Sequence, residues 1–341
     1  MAVTTSLSRA DLLTTAITAV AAACRVTRHV QQDAQPIQRH SKEDLSPVTV
    51  ADYAAQAIIA RQLVEALGPI ALVAEEDAAS LRLSTSAKLL AELTVAVQEV
   101  WPGARSTDLL DAIDCGNHDA TGECYWTLDP VDGTKGFLRG GQYAVSLALI
   151  EKGEVVLGVL GCPNLGDDYD RPFDQPDARG SVFYATRGGG SWAVRADNAQ
   201  GSPRRLDASR TDDVTRMRIC ESVEAAHSRL DHTARIVEYL GVTGAPARLD
   251  SQCKYAVVAR GQAEAYLRLP TRRDYIERIW DHAAGMLVAE EAGAIVSDVL
   301  GRRLDFTQGE GLGANRGVIC AARGYYRPLR NAVSTLGLCT D

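Results

Sequence analysis

The sequence predicts an α/β fold in which sheets are covered by helices on both faces. Three observations carry this. Two strong hairpin patterns occupy the middle of the chain, Tyr143 to Ile150 with Val155 to Leu160, then Ser181 to Ala185 with Gly190 to Arg195. Beyond residue 213, apolar strand runs alternate with amphipathic helix patterns, the arrangement of a sheet packed between helices. The composition, 46% hydrophobic and 23% charged over 341 residues, is that of an ordinary folded chain with ample core.

The elements follow in order. Residues Ser8 to Gln31 carry Leu12, Leu13, Ala16, Ile17, Val20, Ala23, Cys24, Thr27 and Val30 at helical spacing, so a core-facing helix is predicted, with Ser8 as its cap. Residues 33 to 46 are polar and read as a loop. Pro47 to Val50 reads as a short strand or extended arm. Asp52 then opens a second helix that ends at Gly68-Pro69. Ile70 to Val73 is a buried strand that delivers Glu75 at its end. Lys88 to Val100 is an amphipathic helix, and 106 to 123 a short helix and a polar loop in which Asp114, Cys115, His118 and Asp119 have no trusted metal spacing. Tyr125 to Leu128 is a strand, the two hairpins follow, and 164 to 180 reads as a flexible acidic loop. The polar segment 201 to 213 marks a boundary between an N-terminal subdomain, 1–208, and a C-terminal one, 209–341. The latter carries strands at 217–220, 247–249, 263–269, 295–298 and 317–321. Its helices are predicted at 231–240, 254–261, 281–292 and 325–336.

Composition excludes several functions. A net charge of −8 argues against a general nucleic-acid binder. Eight scattered cysteines without a C-x-x-C pair argue against zinc or thioredoxin-like chemistry and, without a secretory pattern, suggest reduced thiols. No run approaches membrane-spanning length. A cytoplasmic monomer with no nucleic-acid or membrane partner is expected.

The chain turns on Leu128-Asp129-Pro130-Val131-Asp132-Gly133-Thr134-Lys135-Gly136-Phe137. Pro130 pushes Asp129 into extended backbone. Gly133 lets the backbone approach a ligand, and the Gly133 and Thr134 N–H groups suit an anion. Two carboxylates beside an anion cradle repel that anion unless divalent cations lie between them, and hard oxygen ligands with a phosphate favour Mg²⁺. The plain alternative is an acidic Pro-Gly turn.

This stretch resembles the signature of the lithium-sensitive, magnesium-dependent phosphatases that include inositol monophosphatase. Val73-Ala74-Glu75-Glu76 and Trp280-Asp281-His282-Ala283-Ala284-Gly285 resemble two further family segments, with Ala74 where the family has glycine. A closer resemblance, to the 3′(2′),5′-bisphosphate nucleotidases, runs from about Ala16 to Phe306. It includes Ser46 to Asp52, Glu221 to Glu224 with His227-Ser228, and Asp250 to Tyr255. The resemblance implies a layered α-β-α-β-α arrangement and hydrolysis of a phosphate monoester by a water that two or three Mg²⁺ ions activate. It implies metal ligands at Glu75, Asp129, the Val131 carbonyl, Asp132 and Asp281, and catalytic roles for Asp52 and its hydrogen-bonding partner Thr134. Gly133 and Thr134 would hold the reacting phosphate. His227, Ser251, Lys254 and Arg268 would hold adenosine and the phosphate that stays. As isolated residues, Asp52 and Asp281 would be helix-start carboxylates, and Lys254 and Arg268 solvated surface. The small-molecule partner so implied is adenosine 3′,5′-bisphosphate, with the sulfate-donor nucleotide as a second substrate. The alternatives are an inositol phosphate phosphatase and a non-catalytic sensor of the nucleotide. A paired-carboxylate glycosidase has no use for the anion cradle.

Overall fold

The computed structural model describes residues 7–34, 47–209, 211–223, 230–270 and 275–339. Helix α1 (Arg9–Ala34) and helix α2 (Pro47–Leu67) pack along one another. Strand β1 (Leu72–Ala74), helix α3 (Ala87–Gln98), helix α4 (Ser106–Asp114), strand β2 (Cys124–Asp132) and the short helix α5 (Thr134–Leu138) follow. The hairpin β3 (Ala144–Glu151) and β4 (Glu154–Cys162) leads to β5 (Ser181–Thr186), β6 (Gly190–Arg195) and β7 (Arg204–Arg205). These seven strands form one sheet in sequence order, antiparallel except for the parallel β1–β2 pair.

The second half contributes β8 (Ile219–Glu221), α6 (Leu230–Leu240), β9 (Ala247–Arg248), α7 (Cys253–Ala259), β10 (Ala265–Arg268), α8 (Ala283–Glu291), β11 (Ala294–Ser297), β12 (Val318–Ala322) and α9 (Arg323–Thr335). Its five strands lie in the order β11-β12-β10-β8-β9. Helices α1 and α2 cover the outer face of the seven-stranded sheet, α7 and α8 lie between the sheets, and α9 packs behind the five-stranded one with α6. This is the predicted five-layer order. Side-chain alternation along the strands explains it. Trp126, Leu128, Val145, Leu147 and Leu149 pack towards α1 and α2. Tyr125, Ala144, Ala148 and Ile150 join a core that continues through α7 and α8 into β10 and β12. One core thus spans both halves, and α8 is apolar all round from Ala283 to Ala289 because sheets flank it.

Four expectations are corrected. Pro47 to Val50 is the first turn of α2 rather than a strand or arm. A proline at a helix start loses nothing, because that N–H has no intrahelical partner. Asp52 therefore sits in the second turn, buried, instead of at the helix entrance. The segment 164–180 lacks regular structure but is held: Gln142 Nε2 donates to the carbonyls of Asn164 and Phe173 (both 3.0 Å), and Tyr169 lies between the guanidinium groups of Arg204 (4.2 Å) and Arg260 (4.5 Å). Finally, α1 is long and apolar enough to match a membrane span by length and composition, contrary to the sequence reading. Its apolar side is spent on α2 and on β3 and β4, as in a core helix.

Candidate functional site

Strand β2 and its neighbours bring the acidic residues together. Asp129 pairs in register with Ser146 on β3, so it points to the inner face, towards α7 and α8. Strict alternation would send Asp132, three residues later, to the opposite face. A bulge prevents this. Asp129 lies opposite Ser146 and Asp132 opposite Ala144, so three steps on β2 match two on β3. Pro130, which has no N–H to give the ladder, sits inside the bulge. Both carboxylates thereby face one cavity. Glu75 follows the β1 residue that pairs with Leu128, which places it beside Asp129. Asp281 arrives from the far side, in the turn before α8. His282 occupies the cap position of that helix, so Asp281 is not the helix cap that an isolated reading suggests.

The cavity has a volume of about 450 Å³ and is lined by Glu75, Asp129, Val131, Asp132 and Asp281. Gly133, Thr134, Lys135, Gly136, Ser222, Asp250, Ser251, Gln252, Lys254, Tyr266, Leu267, Arg268 and Tyr275 complete it. Gly133 adopts φ +90°, and a Cβ there would lie 2.7 Å from that of Ser251, itself at φ +67°. Only glycine allows the two backbones to meet so closely. Ser251 Oγ accepts from the Cys253 N–H at 3.1 Å, and so satisfies the entrance of α7 as well as facing the cavity.

The electrostatics are those of a site suited to cations. Burial, then Asp281, Glu76 and Asp132, push the Glu75 carboxyl up to about 7, and because the residue is exposed to solvent the neighbouring carboxylates are the firmer part of that cause. Burial and Asp281 push Asp132 up to about 6, against the pull of Lys254 and Arg268. Burial, then Glu75, Asp132 and Asp281, raise Asp129 well above the carboxylate range. Asp52 is raised likewise, by burial and then by Glu76 and Glu75. Among the described residues, Asp129 Oδ1 is buried without a hydrogen-bond partner. An orphaned carboxylate oxygen among mutually repelling carboxylates fits divalent cations with oxygen ligands. A neighbouring trio, Glu277, Asp281 and His282, also converges within 4.8 Å. It is already compensated: Arg268 bridges Glu277 (2.7 Å) and Asp281 (3.3 Å), and His282 Nε2 lies 3.3 Å from Glu277.

Cations in the lining include Lys254 and Arg268. Lys254 is buried and its Nζ lies 3.4 Å from Ser222 Oγ and 5.2 Å from the Tyr266 ring centre. Burial lowers its pKa, and Asp132 and Asp250 partly restore it. Burial likewise opposes the charge of Arg268, but Glu277, Tyr266 and Asp281 overcome this and hold it firmly protonated. Neither residue is the solvated surface group that its isolated reading suggests.

Most of the predicted site residues gather at this cavity. Asp52 stands behind Glu75 and Glu76. Among the described residues no hydrogen bond joins it to Thr134. His227 lies outside the described residues. Sequence analysis gave no role to Glu277, Tyr275 or Gln252. Glu277 and Tyr275 stand in no recognisable pattern, and the importance of Gln252 comes from partners 106 and 28 residues away.

A model of the inositol monophosphatase family matches residues 8–332. A Schizosaccharomyces pombe protein named 3′(2′),5′-bisphosphate nucleotidase is 40% identical over 305 residues, covering 87% of this chain and 86% of its own. The Arabidopsis thaliana protein named 3′(2′),5′-bisphosphate nucleotidase 1 is 42% identical over 292 residues, covering 81% and 82%. Among solved structures, Mycobacterium tuberculosis SuhB superposes with a TM-score of 0.63 at 20% identity, over 98% of this chain and all of that one. CysQ from Bacteroides thetaiotaomicron, described as a bacterial member of the inositol monophosphatase family, does so with 0.57 at 18%, over 93% and 100%. At such identities these two structures bear on the fold alone.

Proposed function

The chain belongs to the inositol monophosphatase family, and we propose that it hydrolyses the 3′-phosphate of 3′-phosphoadenosine 5′-phosphate to give AMP and phosphate. Enzymes of this family depend on divalent metal, typically Mg²⁺. The observation that carries the proposal is that carboxylates and fixed cations share the lining of one cavity. Glu75, Asp129, Asp132, Asp250 and Asp281 line it together with Lys135, Lys254 and Arg268. A ligand with one phosphate to be cleaved beside metal and another to be kept by cations matches that lining.

Glu75, Asp129, the Val131 carbonyl, Asp132 and Asp281 are the residues that would hold two ions, with a third held more weakly near Glu75. The ions would supply charge neutralisation and a water acidified towards neutral pH. Asp52 would take the proton of the attacking water once the ions offset the neighbouring carboxylate charge that raises its pKa, and Thr134 would orient it through a hydrogen bond that this structure does not contain. The Gly133 and Thr134 N–H groups would bind oxygens of the reacting phosphate, and the missing side chain at Gly133 lets Ser251 close up beside them. Lys254 and Arg268 would grip the 5′-phosphate, with Ser251 and His227 towards the nucleoside. The sulfate-donor nucleotide carries the same 3′-phosphate and is proposed as a second substrate.

The test is phosphate release from the bisphosphate, 3′-AMP, inositol 1-phosphate and inositol 1,4-bisphosphate, after exhaustive chelation and after Mg²⁺ is returned. Losing a charge-assisted contact costs about 1.5–3 kcal/mol, roughly ten- to a hundredfold. The bisphosphate should therefore exceed 3′-AMP by at least about a hundredfold in kcat/KM if two such contacts hold its 5′-phosphate. Inositol 1,4-bisphosphate as the best substrate would make the chain an inositol phosphatase. Full activity in the chelated protein would remove the mechanism.

A further inference from the structure

Gln252 is buried in the wall between the two carboxylate-bearing segments, and its hydrogen bonds tie them together. Its backbone N–H donates to Asp132 Oδ2. Its side-chain Nε2 donates to the carbonyl of Trp280, the residue before Asp281, at 2.9 Å. Its Oε1 accepts from Ser146 Oγ at 3.2 Å and from the Gly285 N–H of α8 at 3.3 Å. Ser146 is the β3 residue that pairs with Asp129. The fit is tight: a Cβ on Gly285 would lie 3.0 Å from Oε1 and 2.4 Å from Tyr255 Cδ2.

We propose that Gln252 is a positioning residue, which sets the separation of Asp129, Asp132 and Asp281 and so the affinity of the site for divalent cations. It rests on the reading that these carboxylates hold metal. Asp129 and Asp132 on β2 and Asp281 in the turn before α8 come from separate segments. Arg268 holds Asp281 on one side, and the Gln252 amide links the backbone beside it to Ser146 and α8 on the other. A primary amide suits this place because it donates and accepts at once. A lysine or glutamate would add a charge beside the site, and an aliphatic side chain would hold neither partner. Substitutions of such outer partners of metal ligands typically weaken metal binding by about 10- to 100-fold.

The experiment titrates the purified protein with Mn²⁺, followed by the electron paramagnetic signal of the free ion, with wild type, Asp281→Asn, Gln252→Leu and Gln252→Glu. Leucine fills the same volume, and Ser146 Oγ, 3.2 Å from the Trp280 carbonyl, still serves it, so the fold should survive. Gln252→Leu should raise the Mn²⁺ dissociation constant about 10- to 100-fold. Its turnover should be poor at limiting metal and recover at saturating metal, with KM for the nucleotide unchanged there. Gln252→Glu, which sets a carboxylate against the Trp280 carbonyl, should bind no better than Gln252→Leu. A folded Gln252→Leu protein with wild-type Mn²⁺ affinity overturns the proposal, whatever its turnover. Should that variant fail to fold, Ser146→Ala removes one donor to Oε1, and an unchanged Mn²⁺ affinity there is equally fatal. A wild type that binds no Mn²⁺, or an Asp281→Asn variant that binds it unchanged, refutes instead the metal-site reading beneath the proposal.

Discussion

Replacing Arg268 with alanine should do two separable things. In the structure, Nε and Nη2 of Arg268 lie 3.0 and 2.7 Å from the carboxylate of Glu277, and Nη2 lies 3.3 Å from Asp281. Glu277 is only 8% exposed. Burial pushes its carboxyl up, but Arg268, with His282, outweighs this and keeps it below the ordinary value. Arg268→Ala leaves that buried charge with His282 alone, and an uncompensated buried charge costs about 3–5 kcal/mol. Separately, if Arg268 grips the 5′-phosphate, the bisphosphate loses about 1.5–3 kcal/mol of binding while 3′-AMP, which lacks that group, loses little. Adding Glu277→Gln to Arg268→Ala removes the stranded charge. The double variant should therefore regain most of the stability but none of the substrate preference. The assays are urea unfolding in the presence of chelator, and kcat/KM for the bisphosphate and 3′-AMP on the three proteins. Equal loss on both substrates would show that Arg268 serves the metal site through Asp281 and not the phosphate. Unchanged stability in Arg268→Ala would refute the argument about Glu277.

Two further outcomes are expected. Gly133→Ala should be destabilised by about 1–2 kcal/mol for a side chain in left-handed backbone, plus about 1–3 kcal/mol for the approach to Ser251, and its turnover should fall at least tenfold. Gly188→Ala, at φ +77° with nothing within 4 Å, should lose stability but keep its turnover, and Gly133→Ala with wild-type turnover would show that this backbone approach is dispensable. The metal-free protein should become less stable as pH rises from about 4 to about 7. Glu75 and Asp132 have folded pKa values of about 7 and about 6, above their unfolded values, so in that window the folded state holds more protons than the unfolded one. Mg²⁺ should consequently raise the urea midpoint more at pH 8 than at pH 5, and an equal gain at both would contradict the picture of carboxylates straining against one another.

Much of this molecule is legible in its sequence because local rules act within a few residues. The helical spacing from Leu12 to Val30, the hairpin around Lys152-Gly153 and the strand that delivers Glu75 depend on periodicity and turn chemistry, which neighbouring residues set. The string from Leu128 to Phe137 likewise names its own chemistry, since carboxylates beside an anion cradle imply cations. Pro47 shows where local reading gives way: an extended arm and a first helical turn suit proline equally, and the chain takes the turn, at the start of a helix that is buried from Val50 to Ala60. The side to which Asp132 points depended on a bulge defined by pairing with β3, a contact between distant segments. Arg268 could be read as a cation for phosphate, but its hold on Glu277 and Asp281 appears only when β10 lies beside the turn before α8. Gln252 carries no signal as a residue type, and it matters because Ser146, Trp280 and Gly285 converge on it. Residue types and spacing determined which groups are present. Long-range packing decided which of them meet, because distance and burial set the strength of charges and hydrogen bonds, and neither is encoded within a short window of sequence.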